Sequence, residues 1–282
     1  MNLSALLELV RAPAALSVPG DVVAGAAAAN LVDRRTAGLA CSSVCLYWAG
    51  MAANDWADRA LDAVERPERP IPSGRISPPA ALGVAAGLTA AGLVAAGLGG
   101  GRRSLGVATA LAAAVWFYDL RLKNTAAGPA GMAACRALDV LLGASRGRMA
   151  RAVPAAATVA VHTWTVTELS RREVSGARPG LAAATMAVTA ALTGVVAAQR
   201  QSSGPVVAGL AATYAWRYGR AQAAVFTDPA AGTVRKAVGA GITSLPALQG
   251  ALAARAGAPW AGVAVASAAP VASALVRKVS AT

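Results

Sequence analysis

Ten apolar runs follow one another along the chain, at about 13–31, 37–53, 80–100, 104–118, 131–145, 152–169, 180–200, 204–225, 236–254 and 258–277. Short joints rich in charge, proline or glycine separate them. A helix needs roughly 20 apolar residues to cross the hydrocarbon core of a bilayer, and fewer where it is kinked or partly embedded. Runs of this length and number predict an all-α, polytopic transmembrane helical bundle of nine or ten helices, forming one domain over 1–282. The balance of side chains agrees. Charged residues make up 14% of the chain and hydrophobic ones 56%, where a soluble domain carries about 25% charge. A water-facing globule and a disordered polymer are both excluded.

The net charge of +13 does not point to nucleic acid, because the basic residues come in ones to fours between apolar runs rather than in a patch. They read as topology signals. With the N-terminus cytoplasmic, 16 of the 26 fall at cytoplasmic ends and 9 at the opposite ends, with Arg136 inside a span. The positive-inside rule therefore favours that orientation. Arginine outnumbers lysine 23 to 3, a bias of GC-rich bacterial genomes, so the expected location is a bacterial plasma membrane. Pro13, Pro19 and Asp21 interrupt what would be a signal-peptide core, which predicts an uncleaved first helix. Cys41, Cys45 and Cys135 read as small buried hydrophobes, since the single histidine, His162, leaves no Cys/His metal cluster.

Acidic residues carry more information. Ten of the thirteen fall on the cytoplasmic side. Loops 54–79, 119–130 and 170–179 are separated by two spans each, so all three open on one face. In the first loop Asn54, Asp58 and Asp62 stand at i, i+4 and i+8, which on a continuous helix lines their oxygens along one face. Hard divalent cations take such ligands, and Mg²⁺ completes its shell with waters and substrate phosphates. A solvated loop with ion pairs from Asp58 or Asp62 to Arg66 is the plainer alternative. The following stretch, Arg66-Pro67-Glu68-Arg69-Pro70-Ile71-Pro72-Ser73-Gly74-Arg75, adds three arginines on a proline-stiffened turn. Carboxylates that hold a metal beside guanidiniums that pair with phosphate oxygens describe a diphosphate site.

Here the sequence resembles the UbiA superfamily of intramembrane prenyltransferases. Residues 54–75 match its N-D-x-x-D-x-x-x-D and R-P-x-R-P-[IL]-x-S-G motifs at every position. Tyr118 and Lys123, in Tyr118-Asp119-Leu120-Arg121-Leu122-Lys123, match its tyrosine and lysine after the fourth helix. A snorkelling lysine with an interfacial tyrosine is the alternative for that loop alone. The third loop, Ser170-Arg171-Arg172-Glu173-Val174-Ser175-Gly176, departs from the general second aspartate motif and resembles the EboC-like branch. So do Gly128-Pro129, Cys135-Arg136 and Lys236-Ala237-Val238-Gly239. Glu168 and Glu173 are five apart, about 500° of helical rotation, so only Glu173 is assigned to the site.

The resemblance implies a ring of helices around a central cavity and transfer of a prenyl group from a prenyl diphosphate to an acceptor, an aromatic one included. It assigns Mg²⁺ to Asn54, Asp58, Asp62 and Glu173, diphosphate to Asn54, Arg66, Arg69 and Lys123, and catalytic roles to Asp58, Asp62, Tyr118 and Lys123. A terpene cyclase on the same scaffold is the alternative enzyme. A transporter places its ionisable groups at mid-membrane, where only Arg136 and Asp139 fall, one turn apart and spaced to pair. The aromatic residues Trp48, Trp56, Trp116, Phe117, Tyr118 and Trp164 fall at span ends, where an interfacial belt explains most of them.

Overall fold

Proline sets where many of these helices begin. Its fixed φ suits the first helical turn, and its missing N–H is one that a helix start leaves unpaired in any case. In the computed structural model, which describes residues 2–198 and 204–267, proline opens α2 (Pro19–Ala28), α5 (Pro78–Phe117), α6 (Gly128–Ala144), α7 (Val153–Ser170) and α8 (Pro179–Ala197). The other helices are α1 (Leu3–Leu9), α3 (Arg34–Ala57), α4 (Arg59–Glu65), α9 (Gly204–Thr227), α10 (Ala231–Arg255) and α11 (259–267). Asp33 caps α3 in a capping box with Thr36. Arg146 clamps the same carboxyl at 2.7 Å, which holds its pKa well below the usual carboxylate range and ties the start of α3 to the end of α6.

Four stretches are long and apolar enough to cross a membrane on length and composition: Arg34–Ala57, Pro78–Leu122, Pro179–Ala197 and Ala231–Arg255. The protein is an all-α, multi-pass membrane protein. Its second such stretch is two spans. Gly101 takes φ 76°, ψ −164°, and the Trp116 indole donates to Thr89 Oγ1 at 3.1 Å. On a straight helix 27 residues would stand about 40 Å apart. The chain therefore folds back at Gly101, in keeping with separate runs at 80–100 and 104–118.

The first run behaves differently from expectation. It breaks at Pro19 into a 3₁₀ turn, Ala12–Ser17, and the ten-residue α2, too short to span. The tenth run is described only to residue 267, so Arg277 and Lys278 lie outside the described residues, as does Arg200.

In order, α3, α5, α6, α7, α8, α9, α10 and α2 pack each against the next, and α2 returns to α3, closing a ring. Across that ring α2 crosses α6 in direct backbone contact. A Cβ on Gly25 would stand 1.8 Å from the Val140 carbonyl oxygen, and one on Gly143 2.0 Å from that of Val22. Backbone cannot yield as a side-chain tip can. Gly143→Ala is expected to cost about 1–3 kcal/mol, the usual range for overpacking. Thermal denaturation in detergent checks this, and an unchanged midpoint would remove the crossing from what holds α2 in place.

The motif loops meet at one end, as the parity of spans requires. The Lys123 ammonium reaches Asp58 at 2.7 Å, Arg171 donates to the Thr125 carbonyl at 2.6 Å, and Arg235 donates to the Glu173 carbonyl at 3.0 Å.

Candidate active site

The acidic row does not continue along one helix face. α3 ends at Ala57, and Asp58 sits at the joint to α4 with φ −87°, ψ 1°, which breaks the register the i, i+4, i+8 spacing assumed. Two groups result. Asp62 turns to Arg69 at 2.7 Å, and the same guanidinium reaches Asp55 at 3.3 Å. Asp55 also accepts from Arg11 at 2.9 Å. On the other side Asp58 pairs with Lys123, and the Asn54 amide donates to Asp119 Oδ1 at 3.2 Å. Opposite charges this close to a low-dielectric interior pair directly, because each is costly alone.

Beneath this ionic layer lies a cavity of about 540 Å³ between α3, α5, α6, α7 and α10. Tyr118 and Glu173 line it, and Asn54, Asp58, Asp62, Arg66, Arg69 and Lys123 do not. They stand above it and connect to it through two residues that do line it: Asp119, bonded to Asn54, and Arg11, bonded to Asp55. Arg66 acts on the site at a distance, since burial raises the Glu173 pKa and Arg66, after Arg235, opposes that rise. Among the described residues, no three His, Cys, Asp or Glu side chains gather closely enough to hold a metal ion by themselves. The oxygens of Asn54, Asp58 and Asp119 nonetheless have the hard-donor chemistry of a cation shared with phosphate, since Mg²⁺ commonly takes only one or two carboxylates from the protein.

The family profile of the UbiA prenyltransferases matches residues 16–173, more than half of the sequence. The chain belongs to the UbiA prenyltransferase family. Similar curated proteins are digeranylgeranylglyceryl phosphate synthases. That of Ignicoccus hospitalis is 36% identical over 124 residues, 44% of this chain and 41% of that one. That of Methanopyrus kandleri is 40% identical over 126 residues, 43% and 45%. The chain thus matches less than half the length of these curated relatives. Two solved UbiA homologues share the fold. One, from Aeropyrum pernix K1, has TM-score 0.68 at 19% identity and covers 84% of this chain and 96% of that one. The other, from Archaeoglobus fulgidus and bound to GPP and Mg²⁺, has TM-score 0.62 at 16% identity, covering 93% and 99%.

In this UbiA protein the third loop separates its two glutamates. Glu173 lines the cavity, and burial pushes its carboxyl above the ordinary range against the pull of Arg235 and Arg66. Glu168, half-buried near the end of α7, does not line it. Of the six aromatic residues at span ends, only Tyr118 lines the cavity. Phe117 and Trp164 are 56% and 42% exposed on the outer surface, as an interfacial belt requires.

The deep end of the cavity carries residues the sequence left without a role. Arg136 does not pair with Asp139 as their spacing allowed. Its Nε meets Asp21 of α2 at 2.8 Å, while Asp139 Oδ2 accepts from Ser43 Oγ at 2.6 Å. An acid inside an apolar run was a signal for Asp21. Arg11, with a positive φ of 48° just before the 3₁₀ turn, offered none.

Proposed function

We propose that this UbiA protein moves a prenyl group from a prenyl diphosphate to an acceptor, with the diphosphate held at the cytoplasmic end of the cavity in a bacterial plasma membrane. The observation that carries the reading is the ionic layer. Asn54, Asp58, Asp62, Asp119, Arg69 and Lys123 meet where three loops converge, directly over an apolar-walled cavity of about 540 Å³. An amphiphile with a polyanionic head and a hydrocarbon tail fits that division. The sequence match to prenyl-transferring relatives supports the same class of substrate.

Lys123 and Arg69 are the cations placed to take up negative charge as the allylic C–O bond breaks, and such preorganised charge lowers the barrier to ionisation. Asp58 and Asp62 hold these two cations in position. Tyr118, on the cavity wall beside Asp119, is a hydroxyl donor next to the same group. Asn54 and Asp58, with Asp119 or Asp62, would hold Mg²⁺, which would supply Lewis-acid neutralisation of the leaving diphosphate.

The branch and the acceptor belong to the same proposal. The Ser170–Gly176 loop favours the EboC-like branch, and the curated relatives are named for digeranylgeranylglyceryl phosphate. The test is incubation of the purified full chain with geranylgeranyl diphosphate and Mg²⁺, with geranylgeranylglyceryl phosphate or 4-hydroxybenzoate as acceptor, followed by mass spectrometry. A prenylated product is expected, and EDTA should abolish it. Consumption of the diphosphate that is indifferent to chelator would overturn the assignment of the ionic layer.

A further inference from the structure

A second recess lies outside the cavity, where the third loop folds over the joint between α9 and α10. Its volume is about 460 Å³, with Arg172, Ser175 and Arg178 on one side and Pro229 and Ala230 on the other. Backbone fixes the fit of loop to joint. The Ala177 N–H donates to the Pro229 carbonyl at 3.0 Å, and a Cβ on Gly176 would stand 2.7 Å from that carbonyl oxygen. Gly176 also takes φ 80°, so both the turn and the close approach require glycine here. Arg172 and Glu173 are neighbours on this turn and face different spaces. Glu173 lines the main cavity, and Arg172 lines the recess.

The cations nearby divide into committed and free. Arg171 is bonded to the Thr125 carbonyl and Arg235 to the Glu173 carbonyl. Arg172 and Arg178 are exposed, and among the described residues neither guanidinium has an acid or a carbonyl as partner. The acid of the facing joint, Asp228, caps the start of α10 instead. It accepts from the Ala230 N–H at 3.3 Å and from Thr233 Oγ1 at 2.6 Å, and its single charge leaves the recess net positive. Ser175 Oγ makes only a long bond, 3.4 Å, to the carbonyl of the next residue. Two guanidiniums sharing one recess repel each other. An anion between them removes that repulsion and offers acceptors to both forks.

The height of the recess favours a phosphate. Arg178 directly precedes Pro179 of α8, and Ala230 directly precedes Ala231 of α10, and both helices are long and apolar enough to span a membrane. Most of α8 faces away from the protein interior. Cations at the cytoplasmic mouth of a lipid-facing span stand at the level of anionic lipid headgroups. We propose that Arg172, Ser175 and Arg178 form a binding site for a phosphate group, on the outer side of the turn that presents Glu173 to the cavity. The two guanidiniums pair with its oxygens, and the Ser175 hydroxyl donates to another. A phospholipid headgroup and a free phosphate ion share this chemistry, and the acyl chains lying along α8 distinguish them. Basic residues that only set topology act by number, not by position.

The experiment uses the full chain in nanodiscs of phosphatidylcholine, with phosphatidylglycerol as the lipid probe and inorganic phosphate as the free one. Native mass spectrometry counts the phosphatidylglycerol retained by the released protein, and calorimetry follows inorganic phosphate. The wild-type chain is expected to retain phosphatidylglycerol in preference to phosphatidylcholine. Arg172→Gln and Arg178→Gln should each weaken retention by about three- to tenfold, the scale of a charge-assisted hydrogen bond at a solvated site. Both side chains are exposed and unpaired, so these variants keep the fold. Arg103→Gln removes the same charge from an exposed position at the opposite end and should leave retention unchanged. Phosphate binding that needs Arg172 and Arg178, with lipid retention indifferent to both, would support the site and assign it to a free ion. Retention and phosphate binding both unchanged in the Arg172→Gln, Arg178→Gln double variant would overturn the site. An equal loss in Arg103→Gln would overturn it as well, by reducing the effect to overall charge. None of these readouts depends on prenyl transfer, so their failure leaves that reading untouched.

Discussion

Asp58→Asn is expected to lower prenyl-diphosphate turnover by about 10²–10³-fold, roughly 3–4 kcal/mol of lost transition-state stabilisation. The substitution keeps the size of the side chain and removes its charge. Asp58 occupies the joint between α3 and α4 and holds the Lys123 ammonium at 2.7 Å, so two functions fail together. The carboxylate oxygen that suits a hard cation is gone, and Lys123 is no longer positioned by an opposite charge. Some stability should be lost as well, since Lys123 is only 12% exposed and is left without its counter-charge. Lys123→Met is expected to match the loss, and the double variant should lose little beyond either single one, since both act on the same group. The measurement is the rate of diphosphate consumption at equal folded concentration. Wild-type turnover in Asp58→Asn would remove the ionic layer from the chemistry altogether.

That the ionic layer is reachable from sequence at all reflects how membrane proteins are written. Apolar runs mark spans, and charge is confined to their ends unless something requires it elsewhere. The two runs on either side of Gly101 are legible for this reason. So is the convergence of three loops, which follows from counting spans. What the sequence hides is local geometry and long-range pairing. A repeat at i, i+4, i+8 promises a common face only while the helix continues, and nothing in Asp58 announces that α3 stops just before it. Arg11 meets Asp55 across 44 residues, and Asp21 meets Arg136 across more than a hundred. Charge alone shows that each needs a partner but not which one, since several candidates lie within reach of each cation. Pro19 breaks the first run into a turn and a short buried helix, and Asp21, two residues on, is better served by Arg136 and Gln249 than by lipid.

Asp119→Asn is expected to be nearly as damaging as Asp58→Asn, at about 10²-fold, although Asp119 lies outside both acidic motifs. With Arg11, it joins the ionic layer to the cavity. One oxygen accepts from Asn54 at 3.2 Å, and the side chain lines the cavity next to Tyr118. Neutralising it loosens Asn54 and removes an oxygen donor at the level where the scissile bond would lie. Glu173 of the third loop and Glu168 of α7 supply the comparison. Glu173→Gln should cost about tenfold, because Glu173 lines the cavity but is paired only at a distance, with Arg235 and Arg66. Glu168→Gln should stay within about twofold, since Glu168 does not line the cavity. The pH profile separates a role for the Glu173 charge from mere packing. Burial raises its pKa, so it stays protonated to a higher pH than an ordinary carboxyl, and a rate that depends on its anion rises above the usual carboxylate range. Glu173→Gln should flatten that limb and leave the rest of the profile in place. If Glu168→Gln proves as damaging as Asp119→Asn, the third loop is wrongly divided, and the second acidic position of the site belongs to α7 rather than to the loop that follows it.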